Sequence, residues 1–334
     1  MYKYQGYDAF IATYENSEYP NQKYVPGLRI EFIPKISGNL FKDSCSWLKQ
    51  NAKRIDVLNF YHGSKDAMRY YLIYKHYNPN GKVYLKCDGA PSIHKMKKWK
   101  HPLYRWLLRH CNFVSTELEE NSERMTREWR ANVGWVPNPA NPAELAEMRP
   151  FSQRSNIILT VGRFGTEQKA TEILLEAFAK ITDEIPSWKL KLAGRIMENM
   201  NIASDFYAKY PELKERVIFT GGINDRKELI EIYRDAKVFS FPSRHESFGI
   251  ALTEAMMNGC FAVVSDIFAS RSLTENFRFA LSSEVDDIDG LAKNLLYACT
   301  HEAEIEKLAI EGRKATLERC NLKRVCDRIA EGLK

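Results

Sequence analysis

The sequence has no means of crossing a membrane as a helix, because no run of about 18 uncharged apolar residues occurs in its 334 residues. The opening stretch MYKYQGYDAF has no apolar core and no small-residue cleavage site. It does not read as a secretory signal, and a cytoplasmic chain is expected. The seven cysteines (Cys45, Cys87, Cys111, Cys260, Cys299, Cys320 and Cys326) are odd in number, scattered, and never spaced CxxC. That excludes a disulfide framework and a zinc site, and predicts free thiols in a reducing compartment. No G-x-G-x-x-G follows a strand, and GxxxxGK[ST], HExxH and GxSxG do not occur. Nicotinamide chemistry, P-loop hydrolysis, zinc proteolysis and serine hydrolysis therefore lack support. No D-x-D stands where a metal-held nucleotide would need it, so no metal is expected.

What is present is ordinary globular composition, with 44% hydrophobic and 28% charged residues and a net charge of +6. The length exceeds one usual core and predicts two domains. In the second half, the apolar runs Asn156–Val161, Lys189–Ala193, Arg216–Thr220, Lys237–Phe241 and Phe261–Ser265 alternate with helical segments such as Thr171–Ile181. This rhythm predicts parallel βαβ units and a doubly wound α/β domain. The first half reads alike, with strands at Ala9–Thr13, Leu28–Ile33, Val57–Tyr61, Lys82–Lys86, Phe113–Ser115 and Val133–Val136, and helices at Ser64–Tyr77 and Leu103–His110. Four prolines between Pro137 and Pro150 mark the join, giving domains 1–148 and 149–334. A helical tail from Glu302, broken near Asn321, has the option of returning to the first domain.

Two segments carry chemistry. In VGRFGTEQK, Gly162 ends a strand, and Arg163 and Lys169 lie at its carboxyl end. Two cations there suit a diphosphate leaving group, although such a pair also occurs as plain solvated surface. In FPSRHESFGIALTEAMMN a strand runs into a helix start. The N–H groups of Ser247, Phe248, Gly249 and Ile250 can meet phosphate or sugar oxygens. Glu246 precedes that helix and Glu254 sits about two turns inside it, roughly 12 Å along the axis. That separation is too long for a shared proton and suits two ends of one extended ligand. Glu246 could instead be a helix-start acid favoured by the dipole, and Glu254 a solvated residue. The small and apolar neighbours of Glu254 argue that its charge needs a partner.

Together with KLAGR, RVIFTGGINDRKELIEIYRDA and SSEVDDIDGLAKNL, these segments resemble the retaining glycosyltransferases of family 4 over Asn156 to Leu296, including an E-x7-E spacing at Glu246 and Glu254. The resemblance implies the GT-B fold, an α/β architecture of two facing Rossmann-like domains with a cleft between them. It implies that Arg163 and Lys169 bind the donor diphosphate and Glu246 the donor sugar. Ser247, Phe248, Gly249 and Ile250 would lie over sugar and phosphates, Glu254 on the ribose, and Gly221, Gly222 and Ile223 by the base. It further implies a nucleoside-diphosphate-sugar substrate, retention of configuration, no metal and no other cofactor, with the leaving phosphate deprotonating the acceptor. LKCDG, VSTELEENSERM and GWVPNPANP match the family's first domain more weakly. Tyr7–Asn16 resembles that domain's second strand, so its first strand and glycine loop are expected to be missing. Ser270, Arg271 and Glu275 replace the glycines usual after the last clear strand.

Outside these motifs, His94–His110 holds six Lys or Arg, no acid, two Trp and one Tyr. Leu103, Trp106, Leu107 and His110 are expected on one helix face and Arg105 and Arg109 on another. Either this is a helix with a core face and a solvated face, or residues 94–110 dock on an anionic membrane, Lys95, Lys97, Lys98 and Lys100 beside Trp99. No nucleic-acid-binding signature occurs. His62 and Asp88 are candidates on the acceptor side. The expected activity is transfer of a sugar, UDP-linked rather than GDP-linked, to a polysaccharide or lipid-linked glycan by a cytoplasmic, membrane-peripheral enzyme. A catalytically inactive nucleotide-sugar-binding scaffold and a sugar phosphorylase are the rivals.

Overall fold

A short β-rich run such as Lys82–Lys86 can bury both faces only between strands that are themselves covered by helices, and that is how the first half of the chain folds. A computed structural model describes residues 1–15, 27–87, 101–140, 147–198 and 200–334. The chain divides into two units, one formed by Met1–Pro139 with Asn321–Lys334, the other by Ala140–Cys320. The division falls earlier than residue 148. Ala140 already donates its N–H to the Cys320 carbonyl at 2.7 Å, and Phe151 is buried in the second unit's core.

In the first unit, β1 (Phe10–Thr13) and β2 (Arg29–Phe32) pair as a separate parallel ribbon. Strands β3 (Val57–Tyr61), β4 (Lys82–Lys86), β5 (Phe113–Thr116) and β6 (Val133–Trp135) form a parallel sheet in that order. Its core gathers Tyr71, Tyr74, Val83, Leu85, Leu107 and Trp129. The buried Tyr74 hydroxyl is satisfied by the Ile55 carbonyl at 2.6 Å. The tail helix Leu322–Gly332 belongs to this unit. Asn321 caps it through the Arg324 N–H, and Val325 and Leu333 pack on Tyr84, Phe113 and Val136.

The helix Pro102–His110 corrects the expected face. Leu107 and Leu108 are buried, and Tyr104 packs edge-on against Trp129, whereas Leu103 is 69% and Trp106 37% exposed. The core stripe runs Tyr104–Leu107–Leu108–Cys111, an i, i+3, i+4, i+7 set one residue out of phase with the expected one. Residues 94–100 lie outside the described residues.

The second unit contains β7 (Ser155–Val161), β8 (Lys189–Ala193), β9 (Val217–Gly221), β10 (Ala236–Phe241), β11 (Phe261–Ser265) and β12 (Ala280–Ser283). All pairings are parallel and the spatial order is β9-β8-β7-β10-β11-β12. The helix Thr171–Ile181 buries Leu174, Leu175, Ala177, Phe178 and Ile181 against this sheet. The Arg216 guanidinium donates to the carbonyl of Thr182, which caps that helix, and to those of Ile185 and Trp188 in the loop that leads to β8.

After β11, the segment that lacks the expected glycines makes its own turn. The buried Ser270 hydroxyl donates to the Ser265 carbonyl at 2.5 Å, and Arg271 pairs with Asp266. Glu275, Asn276 and Phe277 all take positive φ (53°, 56° and 65°), a run of side-chain-bearing residues in the left-handed region.

Candidate functional site

The second unit's strand order reverses between β7 and β10, although the two strands run parallel. In open α/β sheets, ligands sit outside the carboxyl ends of the strands at such a switch point. Arg163 and Lys169 follow β7, and Glu246 follows β10, so the sheet order brings these sequence-predicted residues to one place. The backbone is close there. Gly194, after β8, has φ 148°, and a Cβ on it would lie 1.9 Å from the Gly162 carbonyl oxygen. Only glycine fits. Arg163 is exposed, and no ion pair or side-chain hydrogen bond engages its guanidinium among the described residues.

Lys169 Nζ lies 2.5 Å from Glu246 Oε1, and that oxygen also accepts from Ser243 Oγ at 3.0 Å. Both side chains of the pair are largely covered, at 18% and 11% exposure. Arg244 ties the surrounding loops together. Its backbone N–H donates to the Gln168 carbonyl at 2.8 Å. Its guanidinium reaches the Glu167 carbonyl, Glu172 at 2.6 Å and Asp286 at 2.7 Å. The two carboxylates raise the Arg244 pKa, the Glu172 hydrogen bond first among the causes.

Gly249 holds φ 97° and starts the helix Ile250–Met257 with no side-chain cap, so the first N–H groups of that helix have no intrahelical partner. Phe248 is 3% exposed and packs inward, which leaves its backbone as the only part that can serve a ligand, whereas Ile250 is exposed. Glu254 is not a solvated helix residue. Its Oε1 accepts from Arg226 Nη2 at 2.5 Å and its Oε2 from the Tyr233 hydroxyl at 3.1 Å, with 14% of the side chain exposed. Burial, then the Glu254 charge, pushes the Tyr233 phenol well above its ordinary pKa, so it stays a neutral donor. Gly221 (φ 73°) and Gly222 are exposed beside Ile223. A Cβ on Gly222 would come within 2.7 Å of the Arg195 side chain.

Sequence reasoning missed Arg226, Tyr233 and Arg244. The signal available for the first two was their i, i+7 spacing ahead of a glutamate already judged to need a partner.

In the first unit, His62 follows β3 with φ 58° and donates its backbone N–H to the Lys86 carbonyl at 2.8 Å. Asp88 lies outside the described residues. At the carboxyl ends of the same sheet, buried Lys86 donates to Asn138 Oδ1 at 2.5 Å, and Asn138 donates to buried Glu117 at 3.2 Å. No group of three or more metal-ligating side chains occurs among the described residues.

The two parallel α/β units define the GT-B fold class. Solved structures share it. A glycosyltransferase from Rickettsia africae superposes with a TM-score of 0.76 at 14% identity, covering 98% of this chain and 90% of that one. Anabaena HepE, in complex with UDP and glucose, gives 0.73 at 14% identity, covering 97% and 91%. At that identity the likeness is one of fold. The family model Glycosyl transferases group 1 matches residues 143–315, more than half of the chain. The chain belongs to the glycosyl transferases group 1 family. Among curated relatives, a phosphatidyl-myo-inositol mannosyltransferase of Mycolicibacterium smegmatis is 28% identical over 165 residues, which are 48% of this chain and 41% of that protein. The chain thus matches less than half the length of that curated relative.

Proposed function

We propose that this protein transfers a sugar from a nucleoside-diphosphate sugar, UDP-linked, to a glycan or lipid-linked glycan, with retention of configuration and without a metal. The observation that carries the reading is the assembly of Arg163, Lys169 and Glu246 at the β7/β10 switch point, with Glu254 on the helix that follows. Arg163 and Lys169 neutralise the diphosphate and stabilise it as it leaves. Glu246 accepts from donor-sugar hydroxyls. The N–H groups around Gly249 and Ile250, with Ser247 and Phe248, lie over the sugar and phosphates. Glu254 accepts from the ribose, and Gly221, Gly222 and Ile223 border the base. The leaving phosphate takes the acceptor proton on the same face. His62 and Asp88 serve the acceptor side. HepE, a fold neighbour, was crystallised with UDP and glucose, which supports the donor class. The reading includes a peripheral position on the inner face of an anionic membrane through residues 94–110, which the exposure of Leu103, Trp106 and Arg109 supports.

A thermal-shift screen of nucleotides and nucleotide sugars tests the site and ranks donors. Glu246→Ala should abolish transfer while UDP affinity stays near wild type. Full activity in that variant refutes its assigned role. Arg163→Ala with Lys169→Ala should lose UDP affinity by calorimetry. A scaffold would bind nucleotide yet transfer to no acceptor, and a phosphorylase would respond to free phosphate with a bare sugar.

A further inference from the structure

We propose that Arg226 and Tyr233 are positioning residues that set the Glu254 carboxylate to receive two neighbouring hydroxyls, and so make the site select ribonucleotides over 2′-deoxyribonucleotides. The inference rests on the reading of Glu254 as the ribose-binding carboxylate. An ionised carboxylate has two oxygens and about four acceptor positions. Arg226 occupies Oε1 at 2.5 Å and the Tyr233 hydroxyl occupies Oε2 at 3.1 Å. Each oxygen keeps acceptor capacity, and 14% of the side chain remains exposed to a ligand.

Both donors come from the helix Arg226–Asp235, Arg226 at its first position and Tyr233 seven residues on, two turns along the same face. The Asp225 side chain caps that helix through the Lys227 N–H at 2.9 Å and so fixes where Arg226 begins. Tyr233 is fully buried, with its ring 6.0 Å from that of Phe239, so its hydroxyl has one geometry. A carboxylate gripped on both oxygens cannot rotate to follow a single hydroxyl. A ligand lacking one of two adjacent hydroxyls leaves one acceptor position of a largely covered carboxylate unfilled, and a site built to bond both hydroxyls discriminates against it.

The test is calorimetry of UDP and 2′-deoxy-UDP with the full chain, for wild type, Tyr233→Phe, Arg226→Met and Arg226→Lys. Wild type should favour UDP by about tenfold or more. Tyr233→Phe and Arg226→Met should shrink that ratio to about threefold or less, and Arg226→Lys should recover part of it, while inhibition of UDP binding by inorganic pyrophosphate is unchanged. Arg226 is partly exposed, so its variants keep the test open even where Tyr233→Phe folds poorly. Variants that bind both nucleotides with the wild-type ratio overturn the positioning role alone. A wild type that binds neither nucleotide overturns the donor-site reading as well.

Discussion

Replacing Lys169 by alanine strands a charge. Among the described residues, Glu246 then keeps the Ser243 hydroxyl at 3.0 Å, and its side chain is 11% exposed. Removing one partner of a fully buried pair costs about 3–5 kcal/mol, because the other charge is left uncompensated. Here solvent reaches both members, 18% of Lys169 and 11% of Glu246, and screens part of that loss. The expected cost is about 1–2 kcal/mol. Glu246→Ala alone should cost a similar amount. The double variant should lose little more than either single one, because no orphan charge remains, giving a coupling of about 1 kcal/mol or more. The chain has two units, so one global unfolding curve does not isolate the effect. Native-state hydrogen exchange on the peptides of β7 and β10 reads the second unit directly. Strictly additive single losses, or a Lys169→Ala cost below about 0.5 kcal/mol, would refute the claim that the pair is a largely desolvated ion pair.

Phe178→Ala should destabilise the second unit by about 3–5 kcal/mol in the same exchange experiment, because Phe178 is fully buried under the sheet. Asn276→Gly should leave the fold intact and add up to about 1 kcal/mol in denaturant unfolding, since glycine takes the left-handed geometry of that turn without strain. Asp43 is held at a pKa of about 2, first by the Tyr14 hydroxyl and then by the Ser37 and Ile36 N–H groups. Its folded value lies below the ordinary 3.8, so its stabilisation is present above pH 4 and fades as pH falls toward 2; Asp43→Asn should flatten that acid limb of the stability curve. Native alkylation followed by mass spectrometry should label no cysteine but Cys45 and Cys111, since the other five are buried, and slowly, because burial raises both thiols, Cys111 to about 12.

The strands were legible where β-branched and aromatic residues form a run. Asn156–Val161 and Phe261–Ser265 announce themselves, and the six strands of the first half lie within a residue or two of their expected ends. β12 was not legible. Ala280–Ser283 is short, ends in two serines, and becomes a strand only by pairing with Ala262–Ser265 at the sheet edge. The phase of the helix Pro102–His110 was misjudged for a related reason. Tyr104, Leu107 and Leu108 compete with Leu103 and Trp106 for the same core, and the choice of stripe is set by non-local partners such as Trp129, against which Tyr104 packs.

The site divides along the same line. Gly162, Arg163, Lys169 and Glu246 stood out because they lie in the segments between a strand and the next helix, where backbone chemistry restricts the choice of residue, and Glu254 because it is a charge among small and apolar neighbours inside the helix Ile250–Met257. The pairings did not, neither Tyr233 with Glu254 nor Lys169 with Glu246, because a hydrogen bond between residues 21 or 77 positions apart leaves no local pattern. Charge bookkeeping still narrows them. A glutamate set among Ala251, Leu252, Ala255 and Met256 must find a cation or a hydroxyl, and the helix two elements earlier offers both at i and i+7. The same reasoning explains why Arg244 matters more than its place in a surface loop suggests. It satisfies a main-chain carbonyl and a carboxylate on the Glu167–Glu172 stretch and a second carboxylate at Asp286, so the Lys169–Glu246 pair rests on a cross-linked base rather than on two independent loops. A ligand that draws Lys169 away from Glu246 therefore meets a frame that holds both residues in reach, and the energy of that exchange is spent on the charges and not on ordering the loops.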